Sequence, residues 1–479
     1  MRKRTIIFLL TLQTSFSIVT NAQDPLPAGE LTLDEAIAIG VKNNFDVQQS
    51  KLDMRVSEIG WQQAQLNRLP DLNAYVGHGI NQGRSIDPFT NSYINQRVNY
   101  ANYNVQSNLP LFAGLSLHNA VKQNALAYEA SKMDLQQTKD NLTLNIILSF
   151  LDALSSEDLL VQTRAQADLS RKQVERLTIL NENGGIAPYL LSDLKGQLAN
   201  DELSIIANQN RVETAKITLC QLLNVPYTKT FTLQKFNPAE FLASYGETSD
   251  KIYETALEKF AQIRAVALRT LSAQKQVLVA KGQQYPTISF TTSATSNISS
   301  AARQDIFVNN SEVITSDYVL VNGTQKSPVI KQQSNFESQK LTYNNQLRNN
   351  IFSSFTLNLN IPIFNALRSR NRVKLAKVNL ESVQVVEQNT KTRLQQNIEQ
   401  AYLNMITAGE RHKVLLEQVK AYDESFRSAE IRFNEGVLNS VEYLATKNNR
   451  DRAEINLIIA RYDYVLRTKI LDFYQGKTR

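Results

Sequence analysis

Phe355-Thr356-Leu357-Asn358-Leu359-Asn360-Ile361-Pro362-Ile363 alternates apolar and polar side chains around its proline. Alternation with a period of two belongs to a β-strand that has one face in an apolar medium and the other in water. Phe355, Leu357, Leu359, Ile361 and Ile363 form one face, and Ser354, Thr356, Asn358 and Asn360 the other. The same pattern surrounds Pro110. There Tyr103, Val105, Ser107, Leu109 and Leu111 stand against Asn102, Asn104, Gln106 and Asn108. Each strand has a softer partner upstream. Leu72, Ala74, Val76 and Ile80 alternate with Asn73 and Tyr75, while Ile288, Phe290 and Ala294 alternate with Thr287, Ser289, Thr291 and Ser293. The strands are expected at about 71–83, 101–112, 287–297 and 352–364. Alternating segments of about ten residues, with Asn and Gln on the wet face, suit a transmembrane barrel with a polar interior. For any one strand, a half-buried sheet in a soluble domain is an equal alternative. Four such strands, set in two hairpins at matching places, favour the barrel.

The matching places come from an internal repeat. Asn108-Leu109-Pro110-Leu111-Phe112 corresponds to Asn360-Ile361-Pro362-Ile363-Phe364 at an offset of 252. Earlier, Arg68-Leu69-Pro70-Asp71-Leu72 resembles Gln284-Tyr285-Pro286-Thr287-Ile288 at an offset of 216. Gly185 is paired with Gly436. Two tandem copies follow, 23–223 and 250–479, joined by a linker at 224–249 that holds Pro226, Pro238 and Gly246. Each copy reads as helix, strand, loop, strand, very long helix, tight turn, helix. The long helices are expected at about 115–182 and 367–434. The first contains no Gly or Pro, and the second only Gly409. In the second, an apolar stripe from Val373 through Leu380, Leu394, Met405 and Leu415 to Phe433 recurs at spacings of three and four, the mark of a coiled-coil-like seam. At 1.5 Å per residue each such helix is roughly 100 Å long. Between the prolines the second copy carries an additional Asn/Ser-rich stretch, 297–351, readable as a surface loop, an extra hairpin or a disordered segment.

Composition narrows the function classes. The chain has 479 residues, with 52 Lys and Arg against 45 Asp and Glu, and 42% hydrophobic residues. No segment beyond the N-terminus approaches the ~20 apolar residues of a spanning helix. Arg2, Lys3 and Arg4 precede an apolar core from Ile6, and Thr20-Asn21-Ala22 is a small-x-small cleavage site. Residues 1–22 therefore read as an export signal. Losing its three basic residues takes the formal charge from +7 to +4, which is no nucleic-acid footprint. The single Cys220 forms no intrachain disulfide, and His78, His118 and His412 are too scattered for a zinc site of the usual kinds. Gly77-His78-Gly79-Ile80-Asn81-Gln82-Gly83 has the wrong spacing for a dinucleotide loop, and no phosphate loop, nucleophile elbow or His-Glu-x-x-His motif occurs. No catalytic residue, cofactor or metal site is expected.

Strand arithmetic constrains the assembly. A membrane sheet must close, because unpaired edges go unsatisfied in hydrocarbon. Single-chain barrels have at least eight strands, and this chain offers four. Two chains give eight strands and a lumen filled by side chains; three give twelve and a water-filled channel.

With these features together, the chain resembles the TolC family of outer-membrane efflux and secretion ducts. The resemblance spans nearly the whole mature sequence. It rests on the double repeat, the hairpin-then-long-helix order, the two proline-bearing strand ends, and Phe433-Asn434-Glu435-Gly436-Val437-Leu438-Asn439-Ser440-Val441-Glu442. It implies a mostly α homotrimer whose 12-stranded β-barrel, in the outer membrane of a Gram-negative bacterium, continues into a helical periplasmic tunnel. It also implies an equatorial girdle containing 224–249. The implied function is a passive exit duct that docks a periplasmic adaptor and an inner-membrane transporter of RND or ABC type. The turns at Gly184, Gly185, Asn434 and Gly436 are then the adaptor-docking turns, and Leu109, Leu111, Phe355, Leu357, Leu359 and Ile361 meet lipid. Acidic residues line the family's periplasmic constriction. Here the position six residues past Gly436 is Glu442, and a further acid three residues on is replaced by Ala445. In the first copy the nearest acid is Asp193, across a turn that reads as one or two residues longer. A periplasmic coiled-coil stalk or adhesin without a channel is the rival reading.

Overall fold

The structure, a computed structural model, describes residues 29–86, 91–229, 231–235 and 245–477. The expected export signal and parts of the 224–249 linker lie outside these residues. In chain order the elements are β1 (Glu30–Leu31), α1 (Leu33–Asn43), α2 (Phe45–Leu66), β2 (Asn73–Asn81), β3 (Arg84–Ile86), β4 (Tyr93–Asn95), β5 (Val98–Ala113), α3 (Ser116–Glu182), α4 (Pro188–Leu223) and β6 (Thr232–Leu233). They continue with α5 (Ser249–Lys259), α6 (Ala261–Gly282), β7 (Thr287–Ser299), β8 (Arg303–Val321), β9 (Gln325–Lys340), α7 (Tyr343–Asn349), β10 (Phe352–Asn360), α8 (Arg368–Asn434) and α9 (Ser440–Tyr474). The chain is mostly helical, and none of the described helices is long and apolar enough to cross a membrane.

The tandem repeat is written in the element lengths. α1 and α5 both have 11 residues, α2 and α6 both 22, and α3 and α8 both 67. The capping chemistry repeats too. Thr32 caps α1, its side chain accepting from the backbone N–H of Glu35 while Glu35 accepts from Thr32, and Thr248 caps α5 at the equivalent place. At the strand-to-helix junctions Gly114 and Leu115 are both left-handed, and so are Ala366 and Leu367. Two consecutive left-handed residues turn the chain sharply out of the strand. Gly114 also lies so close to the backbone carbonyl of Gly282 that a Cβ there would overlap it.

The chain divides into two compact units. The first comprises the described residues up to Ser57, Tyr128–Arg269, and those from Val383 onward. It holds three apolar clusters. One surrounds Ile146, Phe150, Leu219 and Leu223, beside the parallel pair β1–β6, whose register sets Leu31 opposite Leu233. A second gathers Ile252 and Phe260 with Ile398 and Leu471. The third packs the two helix turns around Tyr443. Each fully buried Leu, Ile or Phe contributes about 1.5–3 kcal/mol.

The second unit comprises Glu58–Ala127 and Thr270–Ser382. Its main sheet has the order β10-β7-β5-β2, every pair antiparallel. The first-copy hairpin (β2, β5) and the second-copy hairpin (β7, β10) thus join along β5–β7, leaving β10 and β2 as edges. Below the sheet, Val277 and Ala280 of α6 pack on Ala376 of α8. The insertion 297–351 resolves as the antiparallel hairpin β8–β9 followed by the short helix α7. Asn322 and Gly323, both at positive φ, make its turn, the residue pair that such hairpins prefer.

Candidate functional site

On the four-stranded sheet the register sorts side chains by face. Leu357 lies opposite Phe290 and Phe290 opposite Leu109; Leu359 lies opposite Ile288. A bulge between Pro110 and Phe112 changes the expected phase. Leu111 is the extra residue, and Phe112 takes the place across from Ile288. The bulge follows from the proline, which has no N–H to give the ladder. Phe355 and Leu357 are 74% and 65% exposed, and Leu359 and Ile361 are exposed beside them. A contiguous apolar face of this kind demands a covering. The opposite face is polar and bonded to itself across strands. Thr291 donates to Asn108 Oδ1 at 3.1 Å, Asn358 donates to Thr291 Oγ1 at 3.1 Å, and Ser293 and Ser354 bond at 2.7 Å.

In the first unit, the α3–α4 and α8–α9 hairpins pack against each other at their turns. Both connections are five residues long, 183–187 and 435–439. Gly184, at φ 67, is therefore the counterpart of Gly436, at φ 73; Gly185 sits one place beyond it. The first turn is no longer than the second. Both glycines turn the chain in the left-handed region that side chains resist. The equal lengths pair Glu442 with Leu190, and Asp193 with Ala445.

Ring packing fixes the hairpins. Tyr443 stacks on Phe433 at 4.4 Å between centroids and tilts against Phe426 at 5.7 Å. Arg176 of α3 donates to the carbonyl of Asn434 at 2.7 Å, a cation at the negative end of α8. Asn439 caps α9 by accepting from the Glu442 N–H at 2.9 Å. Glu442 is exposed in the first turn of that helix, where the helix dipole favours a carboxylate. Asp193 has a partner instead: its Oδ2 accepts from the hydroxyl of the buried Ser440 at 2.8 Å, which ties α4 to α9.

Deeper in the same bundle lies a cluster that sequence reading missed. Lys447, 1% exposed, reaches Asp451 Oδ2 at 2.6 Å and Asp201 Oδ2 at 3.1 Å. Ser170 and Gln197 also donate to Asp201, at 2.5 and 2.8 Å, and Gln166 donates to the Asp451 backbone carbonyl at 3.3 Å. The buried ammonium thus joins α4 to α9, and Ser170 and Gln166 tie α3 to the same two aspartates. Burial raises the Asp451 carboxyl above its ordinary range, against the lowering pull of Lys447. One turn on, Arg450 bonds Asp423 at 2.6 Å and Glu454 at 2.8 Å. The i,i+4 spacing of Lys447 and Asp451 is visible in the sequence, but nothing there distinguishes it from a solvated surface pair. Among the described residues no cluster of His, Cys, Asp or Glu is arranged to hold a metal ion.

The family model described as outer membrane efflux protein matches residues 40–225 and 252–476. No curated protein sequence matches the chain. Among solved structures, the CmeC outer membrane channel of Campylobacter jejuni superposes with a TM-score of 0.73 at 14% identity, over 93% of this chain and 86% of that one. The outer membrane protein VceC of Vibrio cholerae gives 0.71 at 12% identity, over 93% and 96%. The MtrE outer membrane channel of Neisseria gonorrhoeae, in its open state, gives 0.69 at 13% identity, over 93% and 88%. At these identities the likeness establishes the fold.

Proposed function

The chain belongs to the outer membrane efflux protein family, and we propose on that premise that three copies close a 12-stranded barrel and act as the passive exit duct of a tripartite efflux pump or type I secretion system. The observation that carries this reading is the open four-stranded sheet, apolar and exposed on one face, polar and hydrogen-bonded on the other. Its edges β10 and β2 need strand partners in hydrocarbon. Joining the β10 edge of one copy to the β2 edge of the next satisfies both edges and closes a ring after three copies. In that ring Leu109, Leu111, Phe355, Leu357, Leu359 and Ile361 meet lipid, and Asn108, Thr291 and Asn358 meet water. A coiled-coil stalk gives no account of a face this apolar and this exposed. Chemical crosslinking of the purified protein tests the assembly: a ladder ending at three times the mass of the exported chain is expected, and a lone protomer refutes the closed ring.

At the periplasmic end, the turns bearing Gly184, Gly185, Asn434 and Gly436 present backbone to an adaptor protein, which links the duct to an inner-membrane transporter of RND or ABC type. Glu442 is the gate acid of this reading, since three exposed copies form a carboxylate ring that favours cations in a narrow pore. Asp193 serves the same mouth mainly as a tie, through Ser440. Glu442→Gln in planar bilayers is expected to lower the cation-to-anion permeability ratio while leaving assembly intact. An unchanged ratio removes Glu442 from the gate.

A further inference from the structure

In the second unit, a cavity of about 480 Å³ opens between the sheet and the segment that carries α7. Its floor is the cross-strand row His78–Ala101–Ile298, and Lys340, Leu341 and Tyr343 wall it. Alternation puts that row on the apolar face, in line with Val76, Tyr103, Val105 and Phe290. The wall is held firmly. The amide of the buried Gln346 accepts from the Ser299 N–H at 2.9 Å and donates to the Ser299 carbonyl at 3.0 Å, while Asn350 donates to the Asn297 carbonyl at 2.7 Å. The hydroxyls of Tyr103 and Tyr343 are bonded to each other at the cavity's lower edge.

Three features point to one ligand. The first is charge. Arg303 and Lys340 are direct cross-strand partners at the base of the β8–β9 hairpin, a placement in which like charges repel. Neither forms an ion pair among the described residues, although Asp305 lies on the same face one row away. An anion seated between them reverses the sign of that contact. The second is depth. The ten residue steps from Ile288 to Ile298 run roughly 33 Å along the strand, or about 25 Å along the membrane normal at the tilt of barrel strands, which is the height of a barrel's apolar band. The third is direction. β5 enters α3, and β10 is followed by α8, at the Ile288 end, so the cavity lies at the opposite, outward end of the band. The tyrosine pair then falls at the interface, where aromatic girdles sit.

We propose that this cavity binds the phosphorylated headgroup of an outer-leaflet glycolipid, with Lys340 and His78 of its lining, and Arg303 across the strand from Lys340, serving the phosphate, and the acyl chains lying along Val76, Val105 and Phe290. The inference rests on the barrel reading and adds to it a fixed lipid at each copy's outer rim.

The test uses full-length protein purified in mild detergent and incubated with vesicles of a diphosphorylated glucosamine lipid, or with the same lipid dephosphorylated. Native mass spectrometry then counts the lipid retained. The wild type is expected to retain the phosphorylated lipid preferentially, and Arg303→Ala with Lys340→Ala to retain it at least about tenfold more weakly, since each of the two lost charge-assisted contacts is worth about that factor. A second variant, Lys331→Ala, on the opposite face of the same hairpin, is expected to retain lipid like the wild type. Equal retention by the Arg303/Lys340 variant and the wild type overturns the proposal. So does displacement of the lipid by millimolar inorganic phosphate alone, which would mark a site for free anions. If the barrel reading itself fails, Leu357→Arg assembles normally; if only the headgroup site fails, the Leu357→Arg defect persists while lipid retention ignores Arg303 and Lys340.

Discussion

Lys447→Ala is expected to destabilise the helical unit by about 3–5 kcal/mol, the usual cost of removing one partner from a buried ion pair. The ammonium is 1% exposed and lies 2.6 Å from one carboxylate and 3.1 Å from another. Removing it leaves Asp201 and Asp451 near each other without their shared ammonium, and Asp451 already has one oxygen, Oδ1, without a hydrogen-bond partner among the described residues. Thermal unfolding in detergent is the measurement, and an unchanged midpoint would show that packing around Tyr443 alone fixes the bundle. Replacing all three groups (Lys447→Met, Asp201→Leu, Asp451→Leu) is expected to restore stability, because an apolar trio owes nothing to desolvation. The pH dependence has a definite sign. A carboxyl whose folded pKa is raised, as burial raises that of Asp451, contributes stability below its unfolded pKa and loses it as the pH rises through the folded value. In Lys447→Ala the opposing ammonium is gone, so the defect is expected to be smaller in mild acid than at neutral pH. The triad ties α9, which carries Glu442, to α3 and α4. In the proposed duct its loss therefore also raises leak conductance through the periplasmic mouth.

The repeat and the strand alternation were legible because both are local and periodic: Pro110 with Pro362 and Leu109 with Ile361 align without three-dimensional information. The sequence leaves the β8–β9 hairpin as one of three readings of 297–351, beside a surface loop and a disordered segment, for an equally local reason. Its register slips between Phe307 and Asn309 and again between Ile314 and Tyr318, and each slip breaks the period-two pattern that betrays a strand. The Asn322-Gly323 pair was the signal that survived, and it marks the turn. The pairing of Gly185 with Gly436 failed by one residue because two adjacent glycines are interchangeable in sequence; only the left-handed φ of Gly184 distinguishes them. The Lys447 cluster was invisible because Asp201 and Ser170, on two other helices, lie 246 and 277 residues before Lys447, and its one local pair, Lys447 with Asp451, looks like any i,i+4 pair on a helix surface. Polar residues on a long helix ordinarily read as a wet face.

Leu357→Arg is expected to cost about 2–4 kcal/mol per copy if Leu357 faces the middle of the bilayer, and a trimer bears that cost three times over. The side chain is 65% exposed, with Phe290 beside it and Leu109 beyond, so no protein group stands ready to receive a guanidinium. Asn358→Arg, one residue on, is the matched comparison. Asn358 donates to Thr291 on the opposite face, where in the proposed barrel water solvates a new charge. The readout is the amount of folded trimer recovered from the outer-membrane fraction: strongly reduced for Leu357→Arg and near wild type for Asn358→Arg. The reverse outcome would turn the sheet inside out. Equal recovery of both would mean that neither face meets hydrocarbon, and the exposed apolar row would then have to be covered by protein. The pair is decisive because the two sites share a strand, an edge and a register, and differ only in which side of the pleat they occupy.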